Sequence, residues 1–187
     1  MYGLVNAAFR ELVVSTHGTS VWEEIRTKSG VSEQHFSKMG GYPDELTYRM
    51  VAAGSEILGI SGEQLLISFG RFWVPYTIRE GYEAMFEIAG SSLPDFLLSL
   101  DELHKRVGES FPKLRPPSFR FDIIDRTTMR MHYRTGREGL CSFVQGLLIG
   151  LSERFQTRLD VEQVECRARG AEHCVFMLKL GERKSRD

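Results

Sequence analysis

The chain has 187 residues, of which 42% are hydrophobic and 26% are charged, as is typical of one globular domain. Its formal net charge of −1 predicts no general attraction to nucleic acid or to anionic lipid. No apolar run reaches the roughly 18 residues that a transmembrane helix requires, and no signal peptide is recognisable, so we expect a cytoplasmic protein. The three cysteines are spread thinly, which favours free thiols or a metal site over a disulfide framework.

The first two-thirds of the sequence predicts helices. Apolar residues recur at helical spacing in successive segments, and glycine, proline or capping residues separate these segments. We expect Thr19-Ser20 to cap the second helix, Asp44 to cap the third, and Ser61 with Gln64 to form a capping box at the fourth. The predicted helices span residues 2–16, 21–28, 44–58, 61–76, 82–88 and 92–111.

The pattern changes after Pro112, where Pro116-Pro117 interrupts any helix. Strands are predicted at 118–124, 129–133, 159–167 and 173–180, with one helix at 143–155. Helices followed by strands predict an α+β fold, with an N-terminal helical lobe and then a four-stranded antiparallel sheet with a packed helix. We expect a single domain over residues 1–182 and a charged tail over residues 183–187.

Four side chains suggest a cofactor. Tyr133, Thr135 and Arg137 stand at i, i+2 and i+4, so they would line one side of an extended segment. All three donate hydrogen bonds, and arginine does so bidentately, which suits a pair of carboxylates. His104 shares its helical face with apolar residues, where an imidazole can bind iron, although on periodicity alone a core histidine is the commoner case. A carboxylate clamp and an axial imidazole together suggest haem.

The sequence resembles the H-NOX family, the haem nitric oxide/oxygen-binding domains that include the haem domain of soluble guanylate cyclase. The resemblance extends nearly from end to end and is carried by five segments: Met1–Asn6, Val21–Glu23, Leu100–His104, Arg115–Phe119 and Tyr133–Leu140. The family's clamp is usually Tyr-x-Ser-x-Arg, and the threonine here keeps the hydroxyl.

This resemblance implies haem b bound between the two lobes, with His104 as the proximal ligand of the iron. It implies that Tyr133, Thr135 and Arg137 hold the haem propionates. Pro117 falls where the family has a proline that presses on the porphyrin and distorts it, and its rigid ring suits that contact.

The gas-binding side of the haem, by the same resemblance, is bordered by Trp73, Phe143, Val5, Phe9 and Leu147. Oxygen-binding members have a tyrosine where Phe143 falls, and phenylalanine carries no hydrogen-bond donor. Trp73 does carry an indole N–H, and both aromatic residues would otherwise be taken for ordinary core. The resemblance therefore implies binding of NO and CO, with O₂ disfavoured.

The function implied is that of a sensor and not of an enzyme, and the chain has no glycine-rich phosphate loop or hydrolytic triad. NO binding would release the iron from His104 and shift the helical lobe relative to the sheet. The signal would pass to a histidine kinase or a cyclic-di-GMP enzyme, with no nucleic acid or membrane involved. The alternatives are an oxygen-binding haem sensor or carrier, and a redox sensor based on cysteine or zinc.

Zinc is the second cofactor considered. Some H-NOX members bind structural zinc through three cysteines and a histidine, and Cys141, Cys166 and Cys174 match the three cysteines. Gln163 falls where the histidine would be, and strand alternation directs His173 elsewhere. Structural zinc sites are mostly closed by four protein ligands, so the alternative here is three free thiols.

Overall fold

A computed structural model describes residues 1–110 and 115–183 of the chain. In this part of the chain the elements are α1 (Gly3–His17), α2 (Thr19–Lys28), α3 (Asp44–Leu58), α4 (Gly62–Thr77), α5 (Glu83–Ala89), α6 (Leu93–Ser110), β1 (Ser118–Ile123), β2 (Thr128–Arg134), α7 (Cys141–Arg154), β3 (Thr157–Glu165) and β4 (Cys174–Arg183). The fold is therefore α+β, in the predicted order. The predicted end of the sixth helix at residue 111, and residues 184–187 of the predicted tail, lie outside the described residues.

Helices α1 to α4 form the helical lobe around one apolar core. The amphipathic faces of these helices contribute Phe9, Trp22, Ile25, Met50 and Phe69, each of which is at least 98% buried. Burying a side chain of this size contributes roughly 1.5–3 kcal/mol to folding. Hydrophobic packing of the helical faces therefore holds this lobe together. Among the described residues, no helix combines the length and apolar character that crossing a bilayer requires.

The predicted helix caps were right at one position and wrong at two. Ser61 and Gln64 form the predicted capping box: the N–H of Gln64 donates to Oγ of Ser61 at 3.1 Å, and the N–H of Ser61 donates to Oε1 of Gln64 at 3.0 Å. The second helix begins at Thr19 itself, directly after Gly18, so neither Thr19 nor Ser20 precedes the helix as a cap. Asp44 lies inside the first turn of α3, and ion pairs occupy its carboxylate instead of the helix N-terminus.

Between α4 and α5 the chain makes one turn of π-helix, Ile78–Tyr82. Gly81 in this turn has φ +94°, a conformation that glycine adopts at little cost. The predicted helix at 82–88 therefore begins at residue 83, and a kink separates it from α4 where a loop was expected.

The strands form one antiparallel sheet in the order β1-β2-β4-β3. Opposed residues share a face, so Phe119, Tyr133 and Cys174 lie together on the inner face of the sheet, and Met131 and Phe176 follow them there. These five side chains are at least 95% buried. The outer face, which includes Asp122 and His132, is polar and less buried. The inner face is thus the side of the sheet available for a core or a site.

Helix α7 packs against α4 with the two backbones in direct contact. A Cβ atom on Gly70 would lie 2.1 Å from the carbonyl oxygen of Phe143, and a Cβ on Gly146 would lie 2.1 Å from the carbonyl oxygen of Ile67. Only glycine is compatible with such an approach. This contact joins the helical lobe to the helix that follows the first two strands.

Candidate functional site

An apolar cavity of about 350 Å³ is enclosed by the helical lobe, α6, the inner face of the sheet and α7. Ten residues were predicted to surround a haem. Nine of them line this cavity: His104, Tyr133, Thr135, Arg137, Pro117, Trp73, Phe143, Val5 and Leu147. Residues from positions 5 to 147 of the sequence are thus brought to one space.

Phe9 is the exception, since it does not line the cavity, and its contribution to the haem site stays a prediction. Its side chain is fully buried in the core of the helical lobe. Its ring packs edge-on against Phe69 at a centroid distance of 5.3 Å, and Phe69 is the residue that lines the cavity. Val5 lies near the start of α1 and lines the cavity. Phe9 lies one turn further along the same helix and packs against α4.

His104 faces the cavity from α6, beside Leu100, Leu103 and Val107 of the same helix. Burial lowers the pKa of His104 to about 4, although the negative charge of Asp101 acts to raise it. The imidazole is therefore neutral at pH 7, the form in which a histidine binds a metal ion. Its Nδ1 atom is buried and makes no hydrogen bond within the described part of the chain.

A stack of rings connects His104 to the tyrosine of the clamp. The ring of His104 stacks on Phe119 at 5.4 Å, and Phe119 stacks on Tyr133 at 5.2 Å, with interplanar angles of 25° and 26°. Asp101 fixes the position of Phe119, because its Oδ1 accepts the backbone N–H of Phe119 at 2.9 Å. The start of β1 is thereby tied to α6 one turn before His104.

The predicted clamp is assembled partly by a strand and partly by a turn. Tyr133 is in β2, where burial raises its pKa. The strand ends one residue later, so the prediction of one extended segment holds only for its first half. Oγ1 of Thr135 accepts the backbone N–H of Arg137 at 3.1 Å, and this turn brings the guanidinium back to the cavity. There it donates to the carbonyl oxygen of Arg115 at 2.8 Å and pairs with Asp44, Nε to Oδ2, at 2.9 Å.

The wall formed by α4 and α7 is aromatic. The rings of Trp73 and Phe143 lie 6.3 Å apart in an edge-to-face arrangement, and Phe69 packs on Phe143 at 4.9 Å. Leu147 lies one turn beyond Phe143 on α7. The close approach of the two helix backbones sets the spacing of these side chains.

Three contributors to the site were not identified from the sequence. The alternating pattern of the strand after Pro117 pointed to Phe119, but nothing in the sequence indicated that its ring would stack between two others. No sequence pattern pointed to Arg115 or Asp44, because their contacts with Arg137 join positions that are distant in the sequence.

The three cysteines lie together next to the clamp. Sγ of Cys141 is 3.0 Å from Sγ of Cys174 and 4.0 Å from Sγ of Cys166, and all three are free thiols. Burial raises the pKa of Cys141, and a hydrogen bond with Gln163 partly opposes this rise. Burial would also raise the pKa of Cys166, but hydrogen bonds from backbone N–H groups outweigh it and lower that pKa. As predicted, Gln163 is beside the cluster.

The chain is similar in sequence to soluble guanylate cyclases. Soluble guanylate cyclase gcy-31 of Caenorhabditis elegans is 30% identical over 166 residues, covering 88% of this chain and 24% of that protein. Soluble guanylate cyclase gcy-33 of the same organism is 34% identical over 161 residues, covering 86% of this chain and 17% of that protein. The chain thus spans about a quarter or less of the length of these relatives.

Solved structures share the fold. The crystal structure of a mutant H-NOX protein from S. oneidensis in the Fe(II) ligation state matches with a TM-score of 0.90 and 18% identity over 98% of each chain. The Fe(II)NO state of an H-NOX protein from S. oneidensis matches with a TM-score of 0.88 and 19% identity, over 97% of this chain and all of that one.

The fold is that of an H-NOX domain. The family model described as haem-NO-binding matches residues 2–163. The chain belongs to this haem-NO-binding family.

The residues that surround the cavity fit the haem that this family binds. A neutral imidazole faces an apolar space, and its second nitrogen has no partner among the described residues that would draw it away. A buried tyrosine and an arginine line the same cavity and can serve two carboxylates.

Proposed function

We propose that this protein is a haem-based gas sensor that binds nitric oxide and CO at ferrous haem b, with O₂ disfavoured. The observation that carries the proposal is the neutral His104 facing an apolar cavity that Trp73 and Phe143 also border. In this proposal His104 would bind the haem iron, and Tyr133, Thr135 and Arg137 would hold the propionates. Pro117 borders the same cavity and is the residue we assign to contact with the porphyrin.

Selectivity against O₂ rests on the aromatic wall, where Phe143 has no hydrogen-bond donor and Trp73 has only its indole N–H. Three lining hydroxyls already donate elsewhere: Thr47 to Oδ1 of Asn6 at 2.6 Å, Tyr48 to the carbonyl of Glu138 at 3.0 Å, and Thr77 to backbone carbonyls of its own helix at 3.0 Å. Bound O₂ is polar and gains from a donor, whereas bound NO and CO lose little without one. An apolar aromatic wall therefore favours NO and CO.

The signal depends on how firmly His104 is held. Haem would supply the ferrous iron that binds the gas, and His104 would hold that iron from α6. A carboxylate or carbonyl acceptor on Nδ1 would raise the basicity of the imidazole, and Nδ1 of His104 has no such acceptor among the described residues. Among the described residues, then, no acceptor holds the imidazole through Nδ1.

Release would free α6 from the cofactor and allow the helical lobe to shift relative to the sheet. A partner reads this shift only if it binds the two states with different affinities. Because the relatives are much longer cyclases, we propose that the chain is a sensor unit over residues 1–182 without catalytic activity of its own. A guanylate cyclase, a histidine kinase or a cyclic-di-GMP enzyme is the proposed output.

Absorption spectra of the ferrous protein test this function. The expected result is a five-coordinate spectrum that is unchanged in air and shifts on addition of NO. His104→Ala should lose haem at least about thirtyfold faster, equivalent to about 2 kcal/mol of binding energy, whereas the exposed His35→Ala should retain it. A stable oxy spectrum would overturn the selectivity, and equal haem retention in both variants would overturn the ligand assignment.

We propose zinc as a second cofactor at Cys141, Cys166 and Cys174, whose sulfur atoms all lie within 4.8 Å of one another. Three thiolates would bind the ion, and water or a displaced histidine would complete the tetrahedron. Metal analysis of protein purified without chelator should find one zinc per chain, and Cys166→Ser should lose it. Absence of zinc from the wild-type protein would leave three free thiols.

A further inference from the structure

A hydrogen-bonded row of three side chains crosses the outer face of the sheet, away from the cavity. Oδ2 of Asp122 lies 2.9 Å from Nε2 of His132, and Nδ1 of His132 lies 2.9 Å from Nε2 of His173. Asp122 is on β1, His132 is on β2, and His173 directly precedes β4. Neighbouring positions of three strands thus bring two imidazoles and a carboxylate together.

The carboxylate determines which nitrogen of His132 is available. An ionised carboxylate only accepts hydrogen bonds, so Nε2 of His132 must carry the proton that it donates to Asp122. In the neutral imidazole, Nδ1 then presents a lone pair toward Nε2 of His173. A metal-binding histidine commonly has this arrangement, with one nitrogen free and the other donating to a carboxylate.

The distance between the facing nitrogens fits two ligands of one metal ion. Bonds from imidazole nitrogen to such an ion are about 2.0–2.1 Å long, so nitrogens 2.9 Å apart subtend an angle of about 90° at the ion. Adjacent ligands in a square-planar or tetragonal complex stand at this angle, which is the geometry of Cu(II) and Ni(II) with nitrogen and oxygen ligands.

We propose that His132 and His173 form a binding site for a divalent copper or nickel ion on the outer face of the sheet, with Asp122 orienting His132. The imidazoles supply two ligands, and water supplies the others. Water has access, because the side chain of His132 is 20% exposed and that of Asp122 is 41% exposed. The metal replaces the hydrogen bond between the two rings: the proton that Nε2 of His173 donates in that bond moves to Nδ1 of the same ring, which leaves a lone pair on each facing nitrogen.

The charges around the pair are compatible with a cation. Arg134 is paired with Glu172 at 2.6 Å, and Arg120 lies 3.6 Å from Asp122. Arg130 also lies on this face, directly opposite Asp122, so the two acidic groups offset only part of the charge of the three arginines. Replacing His132 alone would leave the rest of this surface intact.

This site is separate from the cysteine cluster. Tyr133 and Cys174 oppose each other on the inner face of the sheet, whereas His132 and Val175 oppose each other on the outer face. Side chains of adjacent residues in a strand point to opposite faces. A metal ion at the histidines therefore does not share ligands with one at the thiols.

Titration calorimetry of the haem-loaded protein with Ni²⁺ tests the proposal. The wild type should bind one equivalent at this site, and His132→Gln and His173→Gln should each weaken that binding at least about tenfold. Asp122→Asn should weaken it about tenfold, because the carboxylate acts through the orientation of His132. His35→Gln is the matched control, since His35 is exposed on the helical lobe and should leave binding unchanged.

The thiols could bind a second equivalent of Ni²⁺. Cys166→Ser tests this, because it should remove that equivalent and leave binding at the histidines intact. Circular dichroism and the haem absorption band should be the same in all variants. Nickel binding that is lost only in Cys166→Ser, or that is equal in the wild type and both histidine variants, would show that the two rings form a hydrogen bond only.

Discussion

Asp44 in the first turn of α3 and Arg137 after β2 form an ion pair of 2.9 Å that joins the helical lobe to the rim of the cavity. The amino group of Met1 binds the same carboxylate. Arg137 therefore serves two purposes in our proposal, since it connects the lobes and also holds the haem propionates. Asp44 thus positions the arginine at the rim of the cavity.

Replacing Asp44 with Asn should lower the free energy of unfolding of the haem-free protein by about 1–2 kcal/mol, because two partly buried cationic groups lose their partner. Burial would raise the pKa of Asp44, but the Met1 amine and Arg137 outweigh it and lower that pKa. The stabilisation is therefore complete above the ordinary aspartate pKa of 3.8 and is lost as the pH falls through the lower, folded-state value.

Denaturant unfolding at pH 7 and at pH 3 measures this effect. Glu153→Gln is the control, because it breaks the exposed pair between Arg71 and Glu153 and should cost less than about 0.5 kcal/mol. Equal losses in the two variants would contradict a special role for Asp44.

The lowered pKa of His104 predicts an acid-sensitive haem-free protein. Between the ordinary histidine pKa of 6.5 and the folded-state value of about 4, the unfolded chain binds a proton that the folded chain does not. Acidification through this window therefore favours unfolding. Unfolding curves between pH 7 and pH 4 should show the decline in the wild type and a shallower one in His104→Gln. The same slope in both proteins would mean that other groups cause it.

Adding a hydroxyl at the aromatic wall should change gas selectivity. Phe143→Tyr introduces a donor beside Trp73, so we expect the ferrous protein to form an oxy complex that the wild type does not form. Trp73→Phe is the control, because it removes the indole N–H and should leave the response to air unchanged. Absorption spectra under air measure both. If the wild type did form an oxy complex in air and Trp73→Phe abolished it, the indole N–H would be the donor.

The contact between α4 and α7 predicts that the loss of stability caused by a Gly→Ala substitution depends strongly on its position. Gly146→Ala should destabilise the protein by about 2–3 kcal/mol, because its Cβ would lie 2.1 Å from a backbone oxygen that cannot move by a rotamer change. Gly62→Ala, in the first turn of α4 with open space around it, should leave stability unchanged or raise it slightly. Thermal unfolding of the two variants compares them. A tolerated alanine at position 146 would mean that the helices can separate without cost.

Features that depend on neighbouring residues could be predicted from the sequence. The capping box of Ser61 and Gln64 involves residues three apart, and Gly59 marked the end of α3 at Leu58. The resemblance to H-NOX domains added His104 and the clamp, which periodicity alone assigned to the core or to solvent.

Features that depend on distant residues could not be predicted. The sequence around Asp44 is equally suited to a helix cap, and only the folded chain brings Met1 and Arg137 to it. Phe9 and Val5 both belong to the apolar face of α1, so the sequence did not distinguish the residue that lines the cavity from the one behind Phe69.

The direct backbone contact of α4 with α7 restricts how the lobes can move. Long side chains can yield between sliding helices by changing rotamers, but two touching backbones offer no such compliance. We therefore expect the glycine contact to act as a pivot, about which the lobes can rotate but along which they cannot slide. Trp73 and Phe143 sit on either side of this pivot, so their wall keeps its shape while the lobes turn. When the lobes turn, the width of the cavity therefore changes at its other edge. At that edge α6 carries His104 and the chain enters the sheet at Pro117.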